Sequence, residues 1–112
     1  MPNLDSSLDP LFRALADPTR RAVVARLAAG PAPMSELARP FEMAPPSLLQ
    51  HLRVLEASGL VVSRKVGRVR TYRLEPKPLR MVEDWLGQQR TQWEARLDQL
   101  DAYLAAEKDR TA

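Results

Sequence analysis

Leu48, Leu52 and Leu55 recur at intervals of four and three among mostly polar neighbours, so Pro45 to Ser58 predicts a helix with one apolar face. At about 100° per residue, Pro46, Gln50 and Arg53 lie opposite that face. Ser47 and Leu49 flank the exposed sector, and His51 borders the apolar one. Ser58-Gly59 closes the helix. The period then changes to two: Val61 to Val66 and Val69 to Leu74 read as strands, and Gly67-Arg68 suits a two-residue turn with glycine first. That register sets Val61 opposite Leu74 and Ser63 opposite Tyr72 on one face. On the other face, Val62 meets Arg73 and Arg64 meets Thr71.

Upstream, three shorter helices are expected. Asp9-Pro10 offers an N-cap followed by proline, with Leu11, Phe12, Leu15 and Ala16 as the apolar stripe of a first helix. Asp17-Pro18 repeats the start signal. The second helix then runs with Val23, Val24 and Leu27 inward and Arg20, Arg21 and Arg26 outward, until Gly30 and the prolines at 31 and 33 stop it. Ser35 is the expected cap of a third, very short helix that Pro40 truncates, and a turn through Phe41, Glu42, Met43 and Ala44 leads to the fourth.

After the hairpin, Leu79, Val82, Leu86, Trp93, Leu97, Leu100 and Leu104 mark one face of a long helix, with Trp85 and Tyr103 at its edges and Gly87 as a point where it can bend. Such a stripe exceeds what a small domain can cover, so it predicts a second copy, meeting the last helix together with Leu11 and Phe12 of the first. The expected organisation is one domain over residues 1–112, with a core at 9–76 and a dimerisation helix at 77–108.

Charge sharpens this picture. The net charge of +3 hides an asymmetry: residues 39–80 carry nine cations against three acids, while the segments on either side are neutral and acidic. Arg64, Lys65, Arg68, Arg70 and Arg73 fall on the hairpin, with no acid between Glu56 and Glu75. Like charges stacked on a hairpin are mutually destabilising, which points to a polyanion beside it. The chain has no cysteine, which excludes disulfides, thiolate metal sites and thiol catalysis. With a single histidine on a packed helix and no glycine-rich phosphate loop, there is no catalytic set, and no enzyme activity or cofactor is expected. No apolar run is long enough to span a bilayer, and MPNLDSSLDP lacks the features of a signal peptide, so a cytoplasmic protein without membrane contact is expected.

A short helix, a turn and a second helix with a polar outer face form a helix-turn-helix; followed by a basic hairpin, this makes a winged helix. The fold expected is therefore mainly α with a small β-hairpin. LFRALADPTRRAVVARLAAG, MSELARPF, the LLQHLRVLEASGLV run and the hairpin together resemble the ArsR/SmtB family of bacterial winged-helix repressors, over residues 11–74. The resemblance implies a homodimer that binds an inverted-repeat operator on double-stranded DNA and releases it on a signal from an unidentified small-molecule or protein inducer. Carried over position by position, the recognition-helix contacts are Pro46, Ser47, Gln50, His51 and Arg53, with Leu49 expected on the same DNA-facing surface; the charge pattern makes the five hairpin cations the expected wing contacts. The ending PLRMVEDWLGQQRTQWEARLDQLDAYL looks like that of a metal-independent subgroup.

Two positions depart from the family: Leu49 stands where serine is usual, and Ala44 where serine or threonine is common. Metal-sensing relatives use third-helix cysteines, absent from SELARPF, or His/Asp/Glu sets across the last helix, where no histidine occurs. No metal site is therefore expected. Two alternatives stay open at this point: a winged-helix protein-interaction module that never binds DNA, and a ligand- or metal-responsive sensor of the same fold.

Overall fold

A computed structural model describes residues 7–41 and 43–111. The expected turn at Glu42 and the residues before Ser7 lie outside the described set. The elements in order are α1 (Leu8–Leu15), α2 (Pro18–Ala28), β1 (Ala32–Pro33), α3 (Met34–Ala38), α4 (Pro45–Ser58), β2 (Val61–Val66), β3 (Val69–Leu74) and α5 (Pro76–Thr111). They divide into two compact units, one ending at Val82 and the other beginning at Glu83.

The first unit closes around Leu11, Ala14, Val23, Leu27, Leu37, Leu48, Leu52, Leu55, Leu60, Val61 and Tyr72, all nearly inaccessible to solvent. The leucines of α4 are the ones whose four-three spacing defined its inner face. Burying each such side chain stabilises by roughly 1.5–3 kcal/mol, so this spacing ties α4 to α1, α2 and the sheet. The inner-facing Val61 and Tyr72 do the same for β2 and β3. Leu79, Met81 and Val82 also pack on this core, which carries the unit past residue 76 to Val82.

Local chemistry sets the element ends. Asp17 caps α2, accepting the Arg20 backbone N–H at 3.0 Å, with Pro18 in the first helical position. That hydrogen bond, helped by the Arg20 guanidinium and opposed by desolvation, holds the Asp17 carboxyl below its ordinary value. The cap therefore contributes fully at neutral pH and loses strength as the pH falls through the lowered value. Gly59 ends α4 in the left-handed conformation, φ +87°. An added Cβ there would meet Pro78 only at ordinary contact distance, so the backbone, not crowding, requires glycine.

The hairpin register is the one the alternation predicts, with Val61 opposite Leu74, Ser63 opposite Tyr72 and Val66 opposite Val69. Gly67 has φ +64° and Arg68 no positive φ, as a glycine-first turn requires. One strand was not expected. β1 pairs antiparallel with β3, Ala32 opposite Tyr72 and Pro33 opposite Thr71, giving the order β1-β3-β2. With Pro31 before it and Pro33 within it, it survives because it is an edge strand, where a missing N–H can face away from the ladder.

Two helix starts differ from expectation. α1 begins at Leu8, ahead of Asp9, because Leu8 joins the core; its buried face is Leu8, Leu11 and Ala14, and Phe12 lies on the outer side. α3 begins at Met34 after Pro33, so Ser35 sits inside it and is no cap.

Ala44, at the N-cap of α4, makes no side-chain cap. A capping hydroxyl would normally accept from the second or third helical N–H. Here those positions are Pro46, which has no N–H, and Ser47, whose N–H already reaches the Ala44 carbonyl at 3.0 Å. The departure at Ala44 therefore costs little. Ala44→Ser is expected to raise stability by well under the roughly 1 kcal/mol of an ordinary cap, measured by urea unfolding; a full gain would show that the helix start is unsatisfied.

Candidate nucleic-acid interface

The outer face of α4 carries Pro46, Ser47, Gln50 and Arg53, all exposed. Ser47, Gln50 and Arg53 make no side-chain hydrogen bond or ion pair among the described residues. Leu49 is half-buried, yet it is not among the side chains packed on the core. The two prolines have a second consequence. A helix N-terminus can hold a phosphate on its free N–H groups, but Pro45 and Pro46 supply none, so contacts from this end of α4 must come from side chains.

His51 is placed at the joint between helices. Its Nδ1 lies 3.1 Å from Arg20 Nη1 and 3.7 Å from Asp17 Oδ2. Arg20 also donates through Nε to the Ala14 carbonyl at 2.8 Å and through Nη2 to the Arg13 carbonyl at 3.1 Å, while Arg21 reaches the Leu15 carbonyl at 2.9 Å. These two arginines donate to the last carbonyls of α1, of which Arg13's also accepts the Ala16 backbone N–H at 3.2 Å. Sequence reasoning placed them simply outward. The Asp-Pro pair was the only available hint, since it forces a tight α1–α2 junction.

The five wing cations are all exposed, but the structure sorts them into two groups. Arg73 pairs with Glu75. Arg70 donates to Ser63 Oγ at 2.8 Å, and that hydroxyl reaches Glu56 Oε2 at 3.3 Å, so the two acids bounding the basic stretch each engage it. Arg64, Lys65 and Arg68 have no such partner among the described residues. On the outer sheet face, Arg64 and Arg73 join Val62, Val66, Thr71 and Pro31 around an open recess of about 480 Å³.

The expected dimer residues also divide. Leu11 and Val82 are 2% and 8% exposed and belong to the core of the first unit, and Leu79 packs against it. Leu11 lies one turn after the buried Leu8 and shares its face. Phe12 remains exposed in that unit. In the second unit, α5 continues through Gly87 without interruption, and Leu86, Trp93, Leu97, Leu100 and Leu104 are exposed, as are Trp85 and Tyr103 to their side. No group of three or more His, Asp or Glu able to hold a metal ion occurs among the described residues. None of their helices is long and apolar enough to cross a membrane.

Residues 15–64 match a helix-turn-helix domain family. A crystal structure of an ArsR family transcriptional regulator superposes with a TM-score of 0.78 at 51% identity, covering 84% of this chain and 97% of that one. The chain belongs to the ArsR/SmtB family. An ArsR-like transcriptional regulator from Rhodococcus sp. RHA1 superposes at 0.71 with 32% identity, over 85% of this chain and 90% of that chain. The HTH-type transcriptional regulator Rv2034 of Mycobacterium tuberculosis is 48% identical over 73 residues, 65% of this chain and 68% of its own length. The transcriptional repressor SdpR of Bacillus subtilis is 27% identical over 70% of this chain and 88% of its own. Members of this family are DNA-binding transcriptional regulators, not enzymes, and its winged helix is the architecture described above.

Proposed function

We propose that this ArsR/SmtB regulator is a homodimeric repressor that occupies an inverted-repeat operator and leaves it when an inducer, a small molecule or a protein, signals. The observation that carries this reading is the coincidence of unspent groups. Ser47, Gln50 and Arg53 on α4 and Arg64, Lys65 and Arg68 on the wing are all exposed and make no side-chain hydrogen bond or ion pair among the described residues. Together they supply base-reading amide and guanidinium groups and phosphate-binding cations. Duplex DNA satisfies both sets. Such a repressor works in the cytoplasm and requires no cofactor.

The dimer is supported by the spacing on α5. Trp93, Leu97, Leu100 and Leu104 follow each other at intervals of four, three and four, and Leu86 precedes them by a further seven. This is the a/d alternation of a coiled-coil seam. Arg90 occupies one a position, 4.0 Å from Glu94. A charge at that point of a seam disfavours slipped registers at a cost in stability.

Within the recognition helix, Gln50 is assigned to base reading because its amide can donate to and accept from adenine simultaneously. Gln50→Ala is expected to cost about 1–3 kcal/mol of discrimination at a single base pair in each half-site, with other positions unaffected. Binding measured across a panel of single-base operator variants checks this; an unchanged preference at every position rules out the role. Leu49 offers an apolar contact in place of the usual serine, and a thymine methyl is its natural counterpart.

A further inference from the structure

We infer that Arg20 is a positioning residue for DNA recognition: it selects the His51 tautomer with its lone pair on Nδ1, leaving Nε2–H to donate to a DNA phosphate. The inference rests on the DNA-binding reading above and adds a contact that the wing and the base-reading face do not supply.

The geometry fixes the proton. A guanidinium has five donors and no acceptor, so the 3.1 Å approach of Arg20 Nη1 to His51 Nδ1 is a hydrogen bond only if Nδ1 accepts. The competing partner is Asp17 Oδ2, which could accept from a protonated Nδ1. It lies 3.7 Å away, beyond hydrogen-bond reach, and already accepts the Arg20 backbone N–H at 3.0 Å. The guanidinium itself has little freedom to move away. Its Nε and Nη2 are held by the carbonyls of Ala14 and Arg13, so one side chain of α2 bridges the end of α1 and the middle of α4.

With Nδ1 occupied, the neutral ring carries its proton on Nε2. That atom has no partner among the described residues, while every buried side-chain nitrogen or oxygen among them has one; Nε2 therefore reaches solvent, although the side chain as a whole is only 24% exposed. A solvent-facing donor on the recognition helix, one turn from Ser47 and adjacent to Gln50, suits a phosphate bordering the groove. Because the donor is neutral, it displaces no counterion, which separates its signature from that of the wing.

Two measurements test this. Nitrogen NMR of the imidazole in alkaline buffer should show the proton on Nε2 in the DNA-free protein, and Arg20→Met should relax the ring to a mixture of tautomers. On a duplex enriched by the wild-type protein, His51→Asn, which keeps an acceptor near the Nδ1 position and loses the outer donor, should lower affinity about three- to tenfold at an unchanged salt slope. His51→Gln, whose amide nitrogen reaches near the Nε2 position, should recover most of that loss. Thermal melts run alongside keep the comparison to folded protein, since Arg20 also caps α1. A proton on Nδ1, or His51→Asn binding like wild type, would overturn the proposal. A wild-type protein that enriches no duplex would overturn the DNA reading and the phosphate contact with it, whichever tautomer the ring shows.

Discussion

Replacing Trp93 and Leu100 by glutamate is expected to leave a folded monomer and to lower affinity for a two-half-site duplex by about 10²- to 10⁴-fold. Both side chains are exposed on α5, at 62% and 50%, so neither substitution removes core packing from the first unit, and changes at such sites ordinarily alter stability by no more than about 0.5 kcal/mol. Their importance lies in the seam: four charges brought together in the paired helices would have to be desolvated against one another. Loss of the pair converts a bivalent interaction into two separate ones, which is the source of the expected factor. Sedimentation of the free protein and fluorescence anisotropy on one-site and two-site duplexes read the two effects separately. A variant that stays dimeric would show that α5 is not the interface; a monomer that binds the two-site duplex like wild type would show that dimerisation is irrelevant to binding.

The second large effect belongs to the wing. Substituting Arg64, Lys65 and Arg68 together by alanine removes the three hairpin cations that no acid among the described residues engages. In a dimer this deletes up to six phosphate contacts, and the slope of log affinity against log salt should flatten by about 5. Near physiological salt, affinity for all duplexes should fall by roughly three orders of magnitude. Alanine at Arg70 and Arg73 should do less, because Ser63 and Glu75 already hold those guanidiniums. The contrast between the two sets is the useful quantity. If the triple variant changed base preference while keeping the salt slope, the wing would be reading sequence rather than binding phosphate.

The parts of this fold that were legible in the sequence are those where one residue's position follows from its neighbours by a fixed period. The leucines of α4 and the alternation through β2 and β3 gave the faces, and through them the register and the exposed positions 46, 47, 50 and 53. What was not legible depends on partners distant along the chain. β1 has two residues, one of them proline, and becomes a strand only because β3 offers an edge. Arg20 and Arg21 gain their roles from carbonyls six or seven residues away across the α1–α2 junction. The split among the wing cations required Ser63 and Glu75 to be placed.

Leu11 and Phe12 part company on α1. About 100° apart on the helix, they cannot share one face: Leu11 follows the buried Leu8 by one turn and joins the core, leaving Phe12 outside. Ala44 lacks the hydroxyl common at that position, and the prolines beside it remove the need for one.

The central claim, a symmetric dimer that reads DNA through α4, is tested most directly by sequencing duplexes selected from a random pool by the purified protein. Such a dimer should enrich an inverted repeat whose half-site centres lie about one helical turn, roughly 34 Å, apart. Enrichment of a single unrepeated site, or of none, would contradict it.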